Sequence, residues 1–242
     1  MTYLNAKKYI ESAPDMLEAS HSKIMELLKS VGEPHRKIKY LRLAGSNGKT
    51  VCAEMIREVI GRDGYKVGCL RMPLREEPRE NICIGSSVIS MDEFAEHVNT
   101  LKELSSTLDF IPSKEELLLT VALLAFKRAE CDLCIIESNH FGEDPSIVLP
   151  PPFAAIICGT IPSGDTAQIS RIRSYICKGI QEIVSAPQNN EAYRIISDTC
   201  YSVNCRLTLP SRTAVEVDRL GLGGSIFRYK GRSYSLSLCG KF

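Results

Sequence analysis

The chain has 242 residues, 44% of them hydrophobic and 24% charged, and its 30 basic and 29 acidic side chains leave a formal net charge of +1. That composition is globular and excludes disordered, collagenous and membrane classes; the near-zero charge excludes a global field drawing the protein to nucleic acid or an anionic membrane. Ten cysteines run from Cys52 to Cys239, mostly inside apolar runs such as CDLCIIE and AAIICG. That reads as reduced, buried thiols and not as a disulfide framework. MTYLNAKKYIESAPDM at the start has no signal-peptide core, and no stretch approaches the roughly 18 apolar residues of a membrane span, so a cytoplasmic protein is expected.

In chain order, the pattern predicts helices over about 2–12 and 22–31, the second with Ile24, Leu27, Leu28 and Val31 on one stripe and stopped by Gly32 and Pro34. A strand at Tyr40 to Ala44 leads through a glycine loop into a helix at about Lys49 to Arg62, followed by a strand at Lys66 to Leu70. Those two strands are expected to be parallel with a right-handed crossover. Arg71 to Ser87 reads as a long functional loop. MDEFAEHVNTLKEL and LLLTVALLAFKRA are helices, the latter apolar nearly all round and so packed on the sheet. Strands follow at Asp132 to Glu137 and Phe153 to Cys158, then helices at about Gln168 to Ser185 and in EAYRIISDTCYS. From Arg206 on, glycines separate the short runs SIFRY and SYSLSL, a small antiparallel layer in which GLGG at Gly221 to Gly224 is a turn.

Gly45-Ser46-Asn47-Gly48-Lys49-Thr50 sits between an apolar strand and a helix. A full phosphate-loop pattern would need glycine at position 43, where Leu43 stands. Backbone amides at a helix start, approached closely through glycines, cradle phosphate oxygens; Lys49 can reach the terminal phosphates and the Thr50 hydroxyl can sit on magnesium. The plainer reading is a glycine turn with Lys49 solvated. Glu137 ends a buried parallel strand, where phosphate-loop proteins place a magnesium-holding carboxylate; from pattern alone it is equally a strand-end glutamate facing water.

These residues resemble the folylpolyglutamate synthase and dihydrofolate synthase family of the Mur ligase superfamily. VGEPHRKIKYLRLAGSNGKT is similar to the stretch leading into the family's A-G-T-N-G-K, with Ser46 in place of threonine. GYKVG, RENICIG and ISMDEFAEHV follow in family order, and so do FKRAECDLCIIE, Gly164-Asp165-Thr166, SAPQNNEA and GRSYSLSLCGKF. Glu116 falls where the family also has a glutamate.

The resemblance implies an α/β fold: a mostly parallel sheet with helices on both faces and a small antiparallel β appendage. Residues 1–205 would be the P-loop ATP-binding domain and 206–242 the appendage of the same domain, with the family's C-terminal domain absent from this chain. It implies an ATP-dependent carboxylate–amine ligase in which a folate glutamyl carboxylate attacks the γ-phosphate of ATP and the amine of glutamate displaces the resulting acyl phosphate. ATP and Mg2+ are the implied cofactors, folate and glutamate the substrates, and nucleic acid and membrane are not expected partners. Gly45, Ser46, Asn47, Gly48, Lys49, Thr50 and Val51 would bind the nucleotide, Lys49 and Glu137 would be catalytic, and Thr50 and Glu137 would hold the metal. Glu116, His140 and Lys178 are secondary candidates.

Departures from the family pattern are specific. Its S-P-H is Met72-Pro73-Leu74 here, and its glycine-rich run after the glutamate is Ser138-Asn139-His140-Phe141-Gly142. A metal-binding L-D-H is deleted between Ile161 and Gly164, and the carbamylated lysine falls on or next to Cys177, with Lys178 one position off. Loss of one metal clamp costs orders of magnitude in a two-metal transfer, so a degenerate member that binds ATP or a partner without ligation is the first rival. An unrelated P-loop kinase is the second. Cys131 and Cys134 form a C-x-x-C with no second pair for zinc, which favours buried packing.

Overall fold

In a computed structural model of the chain, all residues are described except 17–19, 139–140, 142–143, 212–213, 222 and 238–242. In order they form α1 (Tyr3–Ser12), α2 (His21–Ser30), β1 (Tyr40–Gly45), α3 (Lys49–Arg62), β2 (Val67–Leu70), β3 (Ile82–Ile84), β4 (Ser87–Val88), α4 (Met91–Ser105), α5 (Lys114–Arg128) and β5 (Leu133–Glu137). Then come β6 (Ala154–Cys158), α6 (Thr166–Tyr175), β7 (Glu182–Ser185), α7 (Asn190–Ser202), β8 (Arg206–Thr208), β9 (Val215–Gly221), β10 (Gly224–Tyr229) and β11 (Arg232–Leu236).

An eight-stranded sheet runs β4-β3-β2-β5-β1-β6-β7-β8, and β11-β10-β9 make a separate three-stranded sheet. From β2 through β8 the pairs are parallel, while β3 and β4 add an antiparallel edge. β1 and β5 occupy the centre because every residue of YLRLAG is buried and LCIIE is buried beyond its first residue, and strands buried on both faces need neighbours on both sides.

Helix starts are written in the sequence. Thr2, Ser90, Ser113, Asp165 and Asn189 each accept an amide hydrogen from the first turn of α1, α4, α5, α6 and α7. α5 has a full capping box, the Glu116 carboxylate accepting from the Ser113 N–H at 2.8 Å. Among the described residues α2 and α3 have no side-chain cap, and α3 alone of the seven α-helices starts from a glycine, Gly48, with φ of 80°.

Partnered residues on parallel strands share a face. Leu41, Leu43, Val67, Cys69 and Ile135 pack with Ala53 of α3. On the opposite face Tyr40, Leu70, Cys134 and Ile136 pack with residues of α1, α2, α4 and α5, and Ala44, Ala155, Ile157 and Ile183 pack with α6 and α7. Helices therefore cover both faces, with α3 on the face to which Glu137 belongs through its pairing with Leu43.

Several expectations change. The strands flanking α3 are parallel, as expected, with β5 between them. The long loop after Leu70 contains a 3-10 turn at Pro78–Asn81 and the edge strands β3 and β4, too short to show alternation. The helix expected to about Ser185 ends at Tyr175, where Ile176 leaves the helical conformation; Gly179, with φ of 104°, lies in the turn that follows, and EIVS is the strand β7 with Ile183 and Ser185 fully buried. Arg206–Thr208, the start of the expected appendage, pairs with β7 in the main sheet, and the antiparallel layer is β9 to β11. The nine described cysteines are free thiols, Cys134 of the C-x-x-C being buried. Among the described residues no helix is long and apolar enough to cross a membrane.

Candidate active site

The parallel strands end together, and the glycine loop occupies the end of the central β1. There the chain crosses β6 so closely that a Cβ on Gly45 would lie 1.8 Å from the Cys158 carbonyl oxygen; the Gly45 φ of 138° equally requires glycine. Ser46, Asn47 and Gly48 are exposed. With Gly48 as an uncapped start to α3, the first-turn amides are left for an anion, at the positive end of the helix dipole.

Lys49 folds back over this loop, its Nζ donating to the Gly45 carbonyl at 2.7 Å. The next residue faces the sheet, and Thr50 Oγ1 donates to Glu137 Oε2 at 3.2 Å. The same oxygen accepts the Met72 N–H at 3.3 Å. Glu137 is 1% exposed and its Oε1 is buried without a partner. Burial pushes its carboxyl above the ordinary range, opposed by the Met72 and Thr50 hydrogen bonds and by the charges of Lys49 and Arg71.

An orphaned buried carboxylate oxygen beside a hydroxyl is an oxygen donor pair that fits a hard cation, while the amides of the helix start fit the anion such a cation would neutralise. Magnesium suits it, because magnesium takes one or two protein oxygens and completes its shell with phosphate and water. Among the described residues no group of three or more His, Cys, Asp or Glu could hold a metal by itself.

Neighbouring loops form the rim. Gln188, after β7, donates from Nε2 to the Gly159 carbonyl at 2.9 Å and accepts the Ile161 N–H at Oε1 at 2.9 Å, while Asn189 Nδ2 donates to the Ile161 carbonyl at 2.8 Å. The loop after β6 is thereby fixed beside Ser46, whose Oγ lies 3.2 Å from where a Cβ on Gly159 would stand. Depressions of about 380 Å3 between α6 and α7 and about 400 Å3 at the start of β6 and β7 lie away from these residues.

Of the residues singled out in the sequence, Gly45, Ser46, Asn47, Gly48, Lys49, Thr50, Val51 and Glu137 come together here. Glu116 does not join them: its carboxylate is spent on Ser113 N–H and Oγ at the start of α5. Lys178 and Cys177 lie in the turn before β7, where Gly179 packs on Pro151 just before β6, at the strand ends opposite the loop. A strand length, roughly 15 Å for about five residues, separates them from Glu137. His140, with Asn139 and Gly142, lies outside the described residues. The Met72 amide, Gln188 and Asn189 were not foreseen; the amide carries no letter in a sequence, and the other two are ordinary polar residues until β6 and β7 are paired.

No family model matches the chain. A probable folylpolyglutamate synthase of Saccharomyces cerevisiae is 25% identical over 205 residues, covering 77% of this chain and 46% of the relative. The solved folylpolyglutamate synthase of Thermotoga maritima superposes with a TM-score of 0.88 at 23% identity, covering 98% of this chain and 58% of that one. A folylpolyglutamate synthase complexed with AMPPCP and folate superposes with a TM-score of 0.83 at 21% identity, over 96% of this chain and 60% of that one. The chain spans less than half the length of the curated relatives it matches. In fold it is the counterpart of the N-terminal portion of the folylpolyglutamate and dihydrofolate synthases, the family its sequence resembles.

Proposed function

We propose that this chain is the ATP-binding part of a carboxylate–amine ligase of the folylpolyglutamate synthase type, with the eight-stranded sheet, through β8, and its helices as the nucleotide domain and β9 to β11 as its β appendage. The observation that carries this reading is the Thr50–Glu137 pair at 3.2 Å, with Glu137 Oε1 left free, directly beneath an uncapped helix start. The amides from Ser46 to Val51 hold the β- and γ-phosphates of ATP. Lys49 exchanges its bond to the Gly45 carbonyl for one to a phosphate oxygen and neutralises charge as the phosphoryl group moves. Thr50 and Glu137 would hold a magnesium ion, which when bound neutralises phosphate charge and fixes the phosphates in line. A folate carboxylate placed on the γ-phosphate would take the phosphoryl group as ADP leaves, giving an acyl phosphate; the glutamate amine then attacks the acyl carbon, loses a proton and expels inorganic phosphate, a far better leaving group than an oxide oxygen. Position and charge neutralisation supply the rate.

The placement of Lys178 favours a second reading, ATP binding without ligation. At the far strand ends it does not replace the family's modified lysine, so a second metal has no compensating ligand there. ADP release by the full-length protein with Mg-ATP, a reduced folate and glutamate decides between the two. Release that requires both co-substrates supports the ligase, and a flat trace across folate forms, with nucleotide binding intact, leaves only the binding protein.

A further inference from the structure

Asn81 ends the 3-10 turn Pro78–Asn81 and is fully buried. Its Nδ2 donates to the carbonyl oxygens of Arg71 and Pro73, each at 2.7 Å, and its Oδ1 accepts the Arg75 N–H at 3.0 Å. Its own carbonyl accepts the Arg71 N–H at 2.7 Å. Burying an amide side chain demands partners, and here all of these partners are backbone groups of the loop after β2.

One of those contacts reaches the candidate site. The Arg71 carbonyl and the Met72 N–H belong to a single peptide group, planar, with its C=O and N–H pointing in opposite directions. That N–H is the one donating to Glu137 Oε2 at 3.3 Å. A continuous chain therefore runs from Asn81 Nδ2 through the Arg71–Met72 peptide to the carboxylate. Holding the carbonyl fixes the direction of the N–H, and a hydrogen-bonded carbonyl polarises its own amide and strengthens the bond on the other side.

We propose that Asn81 is a positioning residue for the cation site: it holds the Arg71–Met72 peptide so that the Met72 amide pins Glu137 Oε2 and leaves Oε1 as the free ligand. This deepens the nucleotide-site reading and rests on it. Groups that orient metal ligands from outside the coordination shell typically contribute about 10- to 100-fold in metal affinity, and Asn81 acts at one remove through a peptide.

The same loop is held independently at its other end, where Tyr3 Oη and Lys7 Nζ both donate to Glu77, each at 2.5 Å. Tyr3→Phe loosens the loop without touching the Arg71–Met72 peptide and separates general scaffolding from positioning. The test titrates Mg2+ into the chain saturated with AMPPCP, and AMPPCP alone into the chain in EDTA. Asn81→Asp, which replaces both donors with an acceptor facing two carbonyls, is expected to weaken Mg2+ binding about 10- to 100-fold while metal-free AMPPCP binding is kept. Tyr3→Phe is expected to change neither.

Equal weakening of both titrations by the two variants, or unaltered Mg2+ affinity in Asn81→Asp, overturns the role. No Mg2+-dependent binding in the wild type overturns the nucleotide-site reading and this role with it. Where the aspartate variant does not fold, Asn81→Ser is compared with Glu137→Gln and the double variant. A serine effect that vanishes in the Glu137→Gln background supports the chain through the peptide, and an effect that persists there contradicts it.

Discussion

Glu137 holds a carboxylate where burial opposes charge, and that opposition belongs to the apo state. Its folded-state pKa is raised above the unfolded value, so its contribution to stability is full below the ordinary carboxylate range and is lost as pH rises through the folded value. At neutral pH the metal-free protein carries that cost, and Glu137→Gln removes it. The glutamine variant should therefore melt higher than wild type at neutral pH, with the difference shrinking as the pH is lowered toward about 4, the usual carboxylate range. Mg-AMPPCP should reverse the order, raising the wild-type midpoint by more than the variant's, which keeps only the metal-free part of the binding. Thermal melts at several pH values with and without ligand check both, and a variant that responds to magnesium as wild type does would remove Glu137 from the cation site.

At the scale of elements, two helix starts with opposite chemistry explain two glutamate assignments. α5 has its amides satisfied by Ser113 and its own Glu116 carboxylate, and α3 leaves its amides open above Gly48. Ser113→Ala should cost about 1 kcal/mol in a denaturant melt and leave AMPPCP affinity unchanged; a loss of affinity without a loss of stability would return Glu116 to the site. The helix α5 was legible as an apolar run. The destination of Glu116 was not, since a capping glutamate and a catalytic one have the same letter, and only the Ser113 contact three residues back separates them. Lys178 carries the same lesson for strands: alignment puts it near a functional position, but which end of β7 it occupies depends on where α6 stops. It stops at Tyr175, earlier than helical periodicity suggests, and the chain turns through Gly179 with Ile176 and Ile180 both buried in the same cluster.

Across the molecule, the loop and its carboxylate were readable because both sit on long buried strands, YLRLAG and LCIIE, whose patterns are hard to mistake. The edges were not. Strands of two to four residues such as β3, β4, β7 and β8 are defined by pairing with neighbours more than by their own sequence. The Met72 amide, which donates to Glu137, lies two residues past β2 in the loop that leads to the edge strand β3. The fold therefore assembles the site from one legible half, β1–α3 with β5, and one half that exists only once the sheet has formed. The most direct test of the central claim, that this assembly is a magnesium-nucleotide site, is calorimetric titration of AMPPCP with Mg2+ into wild type and Lys49→Ala. Saturable one-to-one binding that weakens roughly 10- to 100-fold in the variant, the worth of a hydrogen bond to a charged group, is the predicted result; no binding by wild type, or equal binding by both, would contradict it.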